Sequence, residues 1–492
     1  MDDKSKIYSV TSRALQGALL LLALCAPISI AATQIAWSFA LLFWIIKSVF
    51  VRQSTQRDWM SLAMLAFVGL TLISSIFSYE PEVSLRKMVG VSLVTIVYLF
   101  AGNIGDAKMV RKAVVIMLIA AGFTAVWTIG RTAIGENLKV KQLAADSPLR
   151  SAGVFENDTI QKANGKSVAS PDQLADAVNA SPDGAAKLQI YRYENILYFE
   201  VPAASLLQAP DNSGKLGIAE WSRGRDTRAA GFYGGAYMTY SEATQLIASI
   251  ALGLLILIPG GYFSRNRVLL ALSIGAFCVA LFLTVTRASW AGFLISAAVI
   301  VLFGASRKAI LICVLCAIPV AFAGIYYVQQ KRNISLTQPT DASTEWRLMV
   351  WREGLGVLTS SPRHMAVGIG MDSLKTHWQD WHMFDNGWQP IGHMHNTALA
   401  IAFERGIPTL VAWLIWMALY LRMLWRGIRR RDLDRFERGV LLGAFGGAIG
   451  FLSAGIVHFN WGDSEVVMIF YLIMGLSMAI LRRPPEPSAE PF

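Results

Sequence analysis

The sequence predicts an all-α polytopic membrane protein with about 12 transmembrane helices and a small α+β insert. Three observations predict it. Of 492 residues, 54% are hydrophobic and only 16% charged, against about a quarter charged in a soluble domain. The apolar residues fall in long runs, each close to the ~20 residues a helix needs to cross the ~30 Å hydrocarbon layer. Lys and Arg collect in alternate short loops, as positive-inside insertion requires. A chain with 24 Phe and 15 Trp is not disordered. Its 40 Gly and 17 Pro show no fibrous period. The net charge of +11 is assigned to topology rather than to nucleic acid.

Twelve runs are predicted to span: 14–32, 34–51, 59–78, 88–104, 110–133, 236–259, 267–286, 289–304, 308–328, 396–425, 437–458 and 465–482. The first follows Asp2, Asp3, Lys4, Lys6 and Arg13 without a small-residue cleavage site, so it reads as a retained span rather than a signal peptide. With a cytoplasmic N-terminus, the inside loops hold Arg52 and Arg57, then Lys108, Arg111 and Lys112, then Arg265 and Arg267, then Arg307 and Lys308. The last inside loop holds Arg426, Arg429, Arg430, Arg431, Arg435 and Arg438, and the tail opens on Arg482 and Arg483. Both termini are then cytoplasmic. All six histidines fall outside, as do the long polar stretches 134–235 and 329–395. The expected layout is 1–133 (helices 1–5), 138–205 (insert), 228–328 (helices 6–9), 329–395 (outer loop), 396–482 (helices 10–12) and 483–492 (tail). Cys25, Cys278, Cys313 and Cys316 all sit in apolar runs and read as small buried residues, not redox or metal groups.

The insert alternates apolar and polar residues at Lys139–Leu143 and Leu188–Tyr193, a strand pattern. Asn164-Gly165 signals a hairpin. Ser170-Pro171-Asp172-Gln173 signals a helix start, with Ser as cap and Pro at the first helical position. Ser147-Pro148-Leu149, Ala152-Gly153-Val154, Asn157-Asp158-Thr159-Ile160 and Asn164–Val168 resemble the core of bacterial PDZ domains. Asp172-Gln173-Leu174 and Gln189–Arg192 continue that resemblance. Asn157 departs from it, because the family usually places Gly there. The resemblance implies a PDZ-like periplasmic insert that takes an extended peptide by strand addition, with its carboxylate loop near Ile134–Leu138. The other reading is a spacer.

In the second outer region, Thr344–Thr359 is helical by periodicity and places Arg347 and Trp351 on one face. Trp378, Trp381, Phe384 and Trp388 follow, as a sugar-groove lining or, the commoner use, as interface anchors. Three places put charge or imidazole at an outer boundary. They are Arg228 before the sixth span, Arg287 between the seventh and eighth, and His393-Met394-His395-Asn396 at the tenth. Guanidinium forks suit phosphate oxygens, and imidazole supplies a base of near-neutral pKa. Such a set suits a lipid diphosphate. Singly, each arginine reads equally as a side chain snorkelling to headgroups. No Asp-x-Asp for a nucleotide-sugar metal is expected, and there is no P-loop, His-Glu-x-x-His or G-x-S-x-G elbow.

Residues 228–425 resemble the O-antigen ligase and O-antigen polymerase superfamily. The resemblance rests on Arg228…Gly231-Phe232, Thr286-Arg287-Ala288-Ser289-Trp290, Arg347…Trp351…Ser361-Pro362…Gly368-Ile369-Gly370 and His395-Asn396…Glu404-Arg405-Gly406-Ile407-Pro408. It implies an inner-membrane glycosyltransferase that moves a glycan from undecaprenyl diphosphate to an acceptor hydroxyl on the periplasmic side. The acceptor is lipid A–core in a ligase, another repeat in a polymerase and a protein hydroxyl in related enzymes; ligase is the leading reading. By that resemblance Arg228 and Arg287 hold the diphosphate, and Arg347 assists on diphosphate or glycan. His395 is the base, His393 shares or replaces it, and Asn396 orients the imidazole or a sugar. Displacement inverts the anomeric carbon, and no metal or other cofactor is required. Readings of another class are a transporter and a PDZ-bearing membrane scaffold. The key charges lie at the boundary rather than mid-membrane, which disfavours the transporter. The scaffold leaves the arginines and His395 without a role.

Overall fold

The computed structural model describes residues 3–50, 58–181, 184–192, 195–207, 215–225, 228–232, 236–258, 261, 264–308, 310, 326 and 342–483. Six helices precede the insert: α1 (Asp3–Cys25), α2 (Ile30–Phe50), α3 (Trp59–Ile76), α4 (Pro81–Ser92), α5 (Thr95–Asn103) and α6 (Ala107–Ile134). Asp58 caps α3 by accepting from Ser61 N, and Asp106 caps α6 by accepting from Met109 N. The fourth predicted run starts earlier than expected, at Pro81, and is jointed at Leu93–Val94. Pro at a first helical position explains the early start.

The insert holds β1 (Asn137–Leu143), α7 (Pro148–Ser151), β2 (Thr159–Ala163), β3 (Lys166–Ser167), α8 (Pro171–Asn179), β4 (Ala185–Arg192), β5 (Asn195–Pro202), α9 (Ala203–Leu207) and β6 (Ile218–Gly224). The sheet order is β5-β4-β2-β1-β6, with β3 paired to β2, and the described pairings are antiparallel. Asn164 and Gly165 take positive φ at the β2–β3 hairpin, as an Asn-Gly turn demands. Ser170 caps α8 by accepting from Gln173 N. Asn157 sits at φ 72°; Asn tolerates the left-handed region next best after Gly. The module has its own core, including Leu138, Val140, Ile160, Leu174 and Ile190. The sheet runs on to Gly224, past the expected edge at 205. Leu138 is buried in β1, between β2 and β6, and its N–H is taken by Val168 O. The stretch expected to carry a carboxylate loop is therefore in part sheet interior.

The rest comprises α10 (Tyr237–Leu257), α11 (Arg265–Leu283), α12 (Arg287–Gly304), α13 (Ala342–Thr359), α14 (Pro362–Val367), α15 (Leu374–His377), α16 (Met383–Asn386), α17 (Thr397–Arg405), α18 (Ile407–Ile428), α19 (Arg435–Ala454) and α20 (Ser464–Arg482). Among the described residues, ten helical segments are long and apolar enough to cross a membrane. The chain is thus mostly helical and multi-pass. The predicted run 437–458 corresponds to α19, which is not among those ten. The run 308–328, with Cys313 and Cys316, lies outside the described residues except at single positions. Cys278 is exposed and Cys25 half-buried, so burial of both is not what the structure gives; an exposed thiol on an apolar helix face still has apolar surroundings.

The bundle centre is built on small residues. Gly439, Gly443, Gly446, Gly447 and Gly450 run along α19 and meet α10 and α12. A methyl group on Gly253 of α10 would run into the backbone of Gly439 and Gly443, and one on Gly292 of α12 would lie 2.8 Å from Gly450 O. Small residues let helix backbones approach this closely. Gln245 Nε2 donates to Ser296 Oγ at 2.7 Å across the same seam. The tenth predicted run, 396–425, breaks at Gly406 (φ 85°), whose Cα lies against the Ala366 carbonyl. The spanning piece is α18 alone. Its 22 residues reach about 33 Å.

Candidate functional site

At one end of the bundle, the starts of α10, α12, α17 and α20 meet the end of α19. The loop 455–463 crosses between them. Thr397 N donates to Gly455 O at 2.7 Å, and Thr397 Oγ1 to Asn460 Oδ1 at 2.8 Å and His458 O at 3.1 Å. Asn460 Nδ2 reaches Phe451 O at 2.9 Å. These bonds fix His458 in place. Its Nδ1 lies 2.5 Å from Glu242 Oε1 on α10, and Glu242 is only 1% exposed. Beside them, Ser241 Oγ and Ser289 Oγ are 2.7 Å apart and tie α10 to α12.

The imidazoles gather here. The rings of His393 and His395 are 4.1 Å apart and those of His395 and His458 are 6.2 Å apart. An alternating extended segment would send His393 and His395 to opposite sides. Instead His395 takes φ 46°, a left-handed turn that folds the two rings onto one side. Helix α13 braces the turn: Trp351 Nε1 donates to Met394 O at 2.6 Å, Trp346 Nε1 to Pro390 O at 3.2 Å, and Trp346 meets the His395 ring edge-on. Burial pushes His395 down to about 3, with the charges of His393, His458 and Arg347 adding to it. Burial likewise pushes His393 down to about 4. Both are neutral near pH 7 and can accept a proton.

Of the predicted arginines, Arg347 acts on the cluster, and Arg228 and Arg287 lie at helix ends. Arg228 lies over the Tyr237 ring at 4.5 Å, and the next residue, Ala229, donates to Leu283 O at 3.0 Å at the end of α11. Arg287 opens α12 two residues after Val285, a non-glycine at φ 52°. Arg228 and Arg287 therefore stand at adjoining helix ends, linked to the histidines through α10 and Ser241–Ser289. Arg347 acts on His395 from α13. Asn396 caps α17, its side-chain oxygen accepting from Leu399 N at 2.9 Å, so that oxygen is engaged in holding the helix start.

Three expectations change. Phe384 is fully buried against Trp346 and Trp378, and Trp381 packs on Tyr79, so these aromatics form a local core; of the four, Trp388 alone is strongly exposed, at 86%. The Gly368-Ile369-Gly370 turn lies along α17 through Ile369 N to Phe403 O and Gly370 N to Glu404 O. Its spacing therefore serves backbone docking. The chain also contains one Asp-x-Asp, Asp432-Leu433-Asp434, but Asp432 pairs with Arg430, while Asp434 caps α19 and meets Arg111. Sequence reasoning missed Glu242 and His458. The signal available was a lone acid inside the run 236–259 and a lone histidine closing the run 437–458. Among the described residues, no three His, Cys, Asp or Glu side chains gather as a metal set.

A multi-span helical protein with a cluster of three imidazoles, one of them buried, and with arginines at helix boundaries is the class that fold and site define. Residues 269–414 match the family model described as O-antigen ligase. That match supports the O-antigen ligase superfamily. It takes in Arg287, Arg347, His393, His395 and Asn396, and leaves out Arg228, Glu242 and His458. No curated protein matches the chain.

Proposed function

We propose that the protein is a glycosyltransferase of the bacterial inner membrane that moves a glycan from undecaprenyl diphosphate to an acceptor hydroxyl on the periplasmic side. Lipid A–core is the acceptor in the leading reading, O-antigen ligation. The observation that carries it is the His393–His395–His458 cluster, in a chain whose 269–414 stretch matches the O-antigen ligase family. Membrane lipids, the lipid-linked donor and the glycan acceptor are its partners, and both termini face the cytoplasm.

In this reading His395 accepts the acceptor hydroxyl proton as the oxygen attacks the anomeric carbon. The carbon–oxygen bond to the diphosphate breaks, and one displacement inverts the centre. Arg228 and Arg287 offset the charge that grows on the leaving diphosphate. An imidazole at about 3 is a weak base in the free enzyme. A bound diphosphate places negative charge nearby and raises its proton affinity, so the base strengthens when the donor is present. His393, 4.1 Å away, shares the proton. His458, held by Glu242, fixes the cluster's geometry. Arg347 contacts diphosphate or glycan, and Asn396 positions the turn that carries His395.

The insert is read as PDZ-like, supported by its β2–β3 hairpin and the Ser170-capped α8. Whether it takes a peptide or acts as a spacer is decided by deleting 137–224 and measuring transfer. The central test is the glycan profile of a deletion strain complemented with variants. His395→Ala and Arg287→Lys are expected to abolish long-chain lipopolysaccharide while lipid-linked polymer accumulates. Single-repeat product would mean a polymerase, and normal profiles from both variants would remove the assignment.

A further inference from the structure

A second polar site adjoins the loop 455–463. Its centre is Arg405, the last residue of α17, which is only 6% exposed. Arg405 Nη2 is 3.9 Å from Glu404 Oε2, too far for a hydrogen bond, and Arg405 Nε has no hydrogen-bond partner. Its guanidinium carbon stands 5.6 Å from the Phe67 ring. The side chain borders a cavity of about 130 Å³, shared with Lys87, Asp372, Phe459, Ser464 and Tyr471. None of the histidines or arginines placed in the transfer site lines it.

We propose that this cavity binds a phosphate ester group, at a site separate from the Arg228–Arg287 helix ends. The guanidinium is the first reason. A buried fork without acceptors is out of balance, and its planar N–H pairs match two oxygens of a phosphate. Depth is the second. Helix α18 begins two residues after Arg405 and spans by itself, so Arg405 stands at the end of a span, where lipid phosphates lie. Ser74 Oγ, near the end of α3, donates to Glu404 O at 3.1 Å and fixes that level. Access is the third. Lys87, about half exposed, and Gly90 line the mouth on α4, beside the exposed side chains of Leu85 and Val89. The acidic groups leave room for an anion. Asp372 is held by Lys87 at 2.8 Å and Lys375 at 3.1 Å. Glu404 engages the guanidinium only loosely.

The inference does not depend on glycan transfer. The full chain carrying Arg287→Gln, so that the transfer site does not contribute, is purified in maltoside micelles. It is titrated with inorganic phosphate, with short-chain phosphatidic acid and with the matching diacylglycerol, read by native mass spectrometry and calorimetry. Saturable binding of one phosphate or phosphatidic acid is expected, weakened about tenfold or more by either Arg405→Gln or Lys87→Gln. Binding of the free ion assigns the site to soluble phosphate, and binding of phosphatidic acid alone assigns it to a lipid headgroup. Lys87→Gln lies on a half-exposed side chain and keeps the test usable should Arg405→Gln fail to fold. Unchanged affinity in a folded Lys87→Gln chain, equal binding of diacylglycerol or no phosphate binding at all overturns the proposal.

Discussion

Two buried acid–base pairs adjoin the same loop, 455–463. Glu242 and His458 meet at 2.5 Å, and three bonds from Thr397 and Asn460 hold the loop that carries the histidine. Glu404 and Arg405 are neighbours in sequence, yet their charged atoms are 3.9 Å apart and the guanidinium faces a cavity. Adjacent helical residues diverge by about 100° around the axis and cannot face each other. A pair drawn from two elements can be aligned by packing; a pair drawn from consecutive residues of one helix cannot. The first arrangement fixes geometry, and the second leaves a charge available to a ligand.

The largest test of that contrast is stability. Glu242→Ala strands His458 in a buried site and is expected to cost about 3–5 kcal/mol. Glu404→Ala removes a partner 3.9 Å from the guanidinium, too far for a hydrogen bond, and is expected to cost less than Glu242→Ala. Chemical unfolding in detergent measures both, and equal losses would erase the distinction between the pairs.

Catalysis comes next. His458→Gln is expected to lower transfer by roughly 10²-fold, within the range of general-base effects, with the protein still folded. The acid limb of the pH–rate profile is more specific. With His395 at about 3, transfer by the free enzyme is expected to stay flat down to pH 5. Arg347→Gln removes a cation that opposes protonation, so the limb should move to higher pH. A wild-type limb near pH 6.5 would contradict the lowered proton affinity of His395.

A smaller effect falls on the pH dependence of folding. The Asp463 carboxyl is raised to about 7, above its ordinary unfolded value near 3.9. Between those values the folded state binds the extra proton, so this group's stabilisation is present at low pH and lost as pH rises through 7. His393 and His395 act oppositely, costing stability as pH falls below about 6.5, because the unfolded chain takes up protons that the folded one refuses. Asp463→Asn should therefore flatten the melting temperature between about pH 4 and 7. An unchanged slope would show that Asp463 is ionised when folded.

The smallest effect concerns the insert. Because β6 pairs with β1 along its whole length, removing 138–205 alone leaves β6 without its partner. Removing 137–224 takes out the whole sheet and should leave the bundle's melting temperature within a few degrees. A large drop would mean that the module braces the helices.

Much of this was legible in the chain because the signals are local. The Asn164-Gly165 turn, the Ser170-Pro171 and Ser361-Pro362 helix starts and most of the apolar runs declare themselves within a few residues. Among site residues, the His393–His395 motif and the arginines at helix boundaries could be named for the same reason. The partners of those residues could not. Glu242 and His458 are 216 positions apart, and neither sits in a recognisable motif. The break at Gly406 was hidden because the run 396–425 is mostly apolar, with charges only at Glu404, Arg405 and Arg422, and apolarity alone does not register a change of direction. The tryptophans misled because exposure and burial look alike in a one-dimensional pattern.

By itself the sequence determined that this chain enters a membrane many times and carries a separate sheet module. Transfer of apolar area and the reach of a helix are additive along the chain, so counting suffices. Tertiary structure alone decided that His393 and His395 share one side, that Glu242 holds His458, and that Arg405 looks into a cavity. Those outcomes depend on a left-handed turn at His395, a glycine seam that draws α10, α12 and α19 together, and a helix break at Gly406. Each sets a relation between distant side chains, which no local count contains.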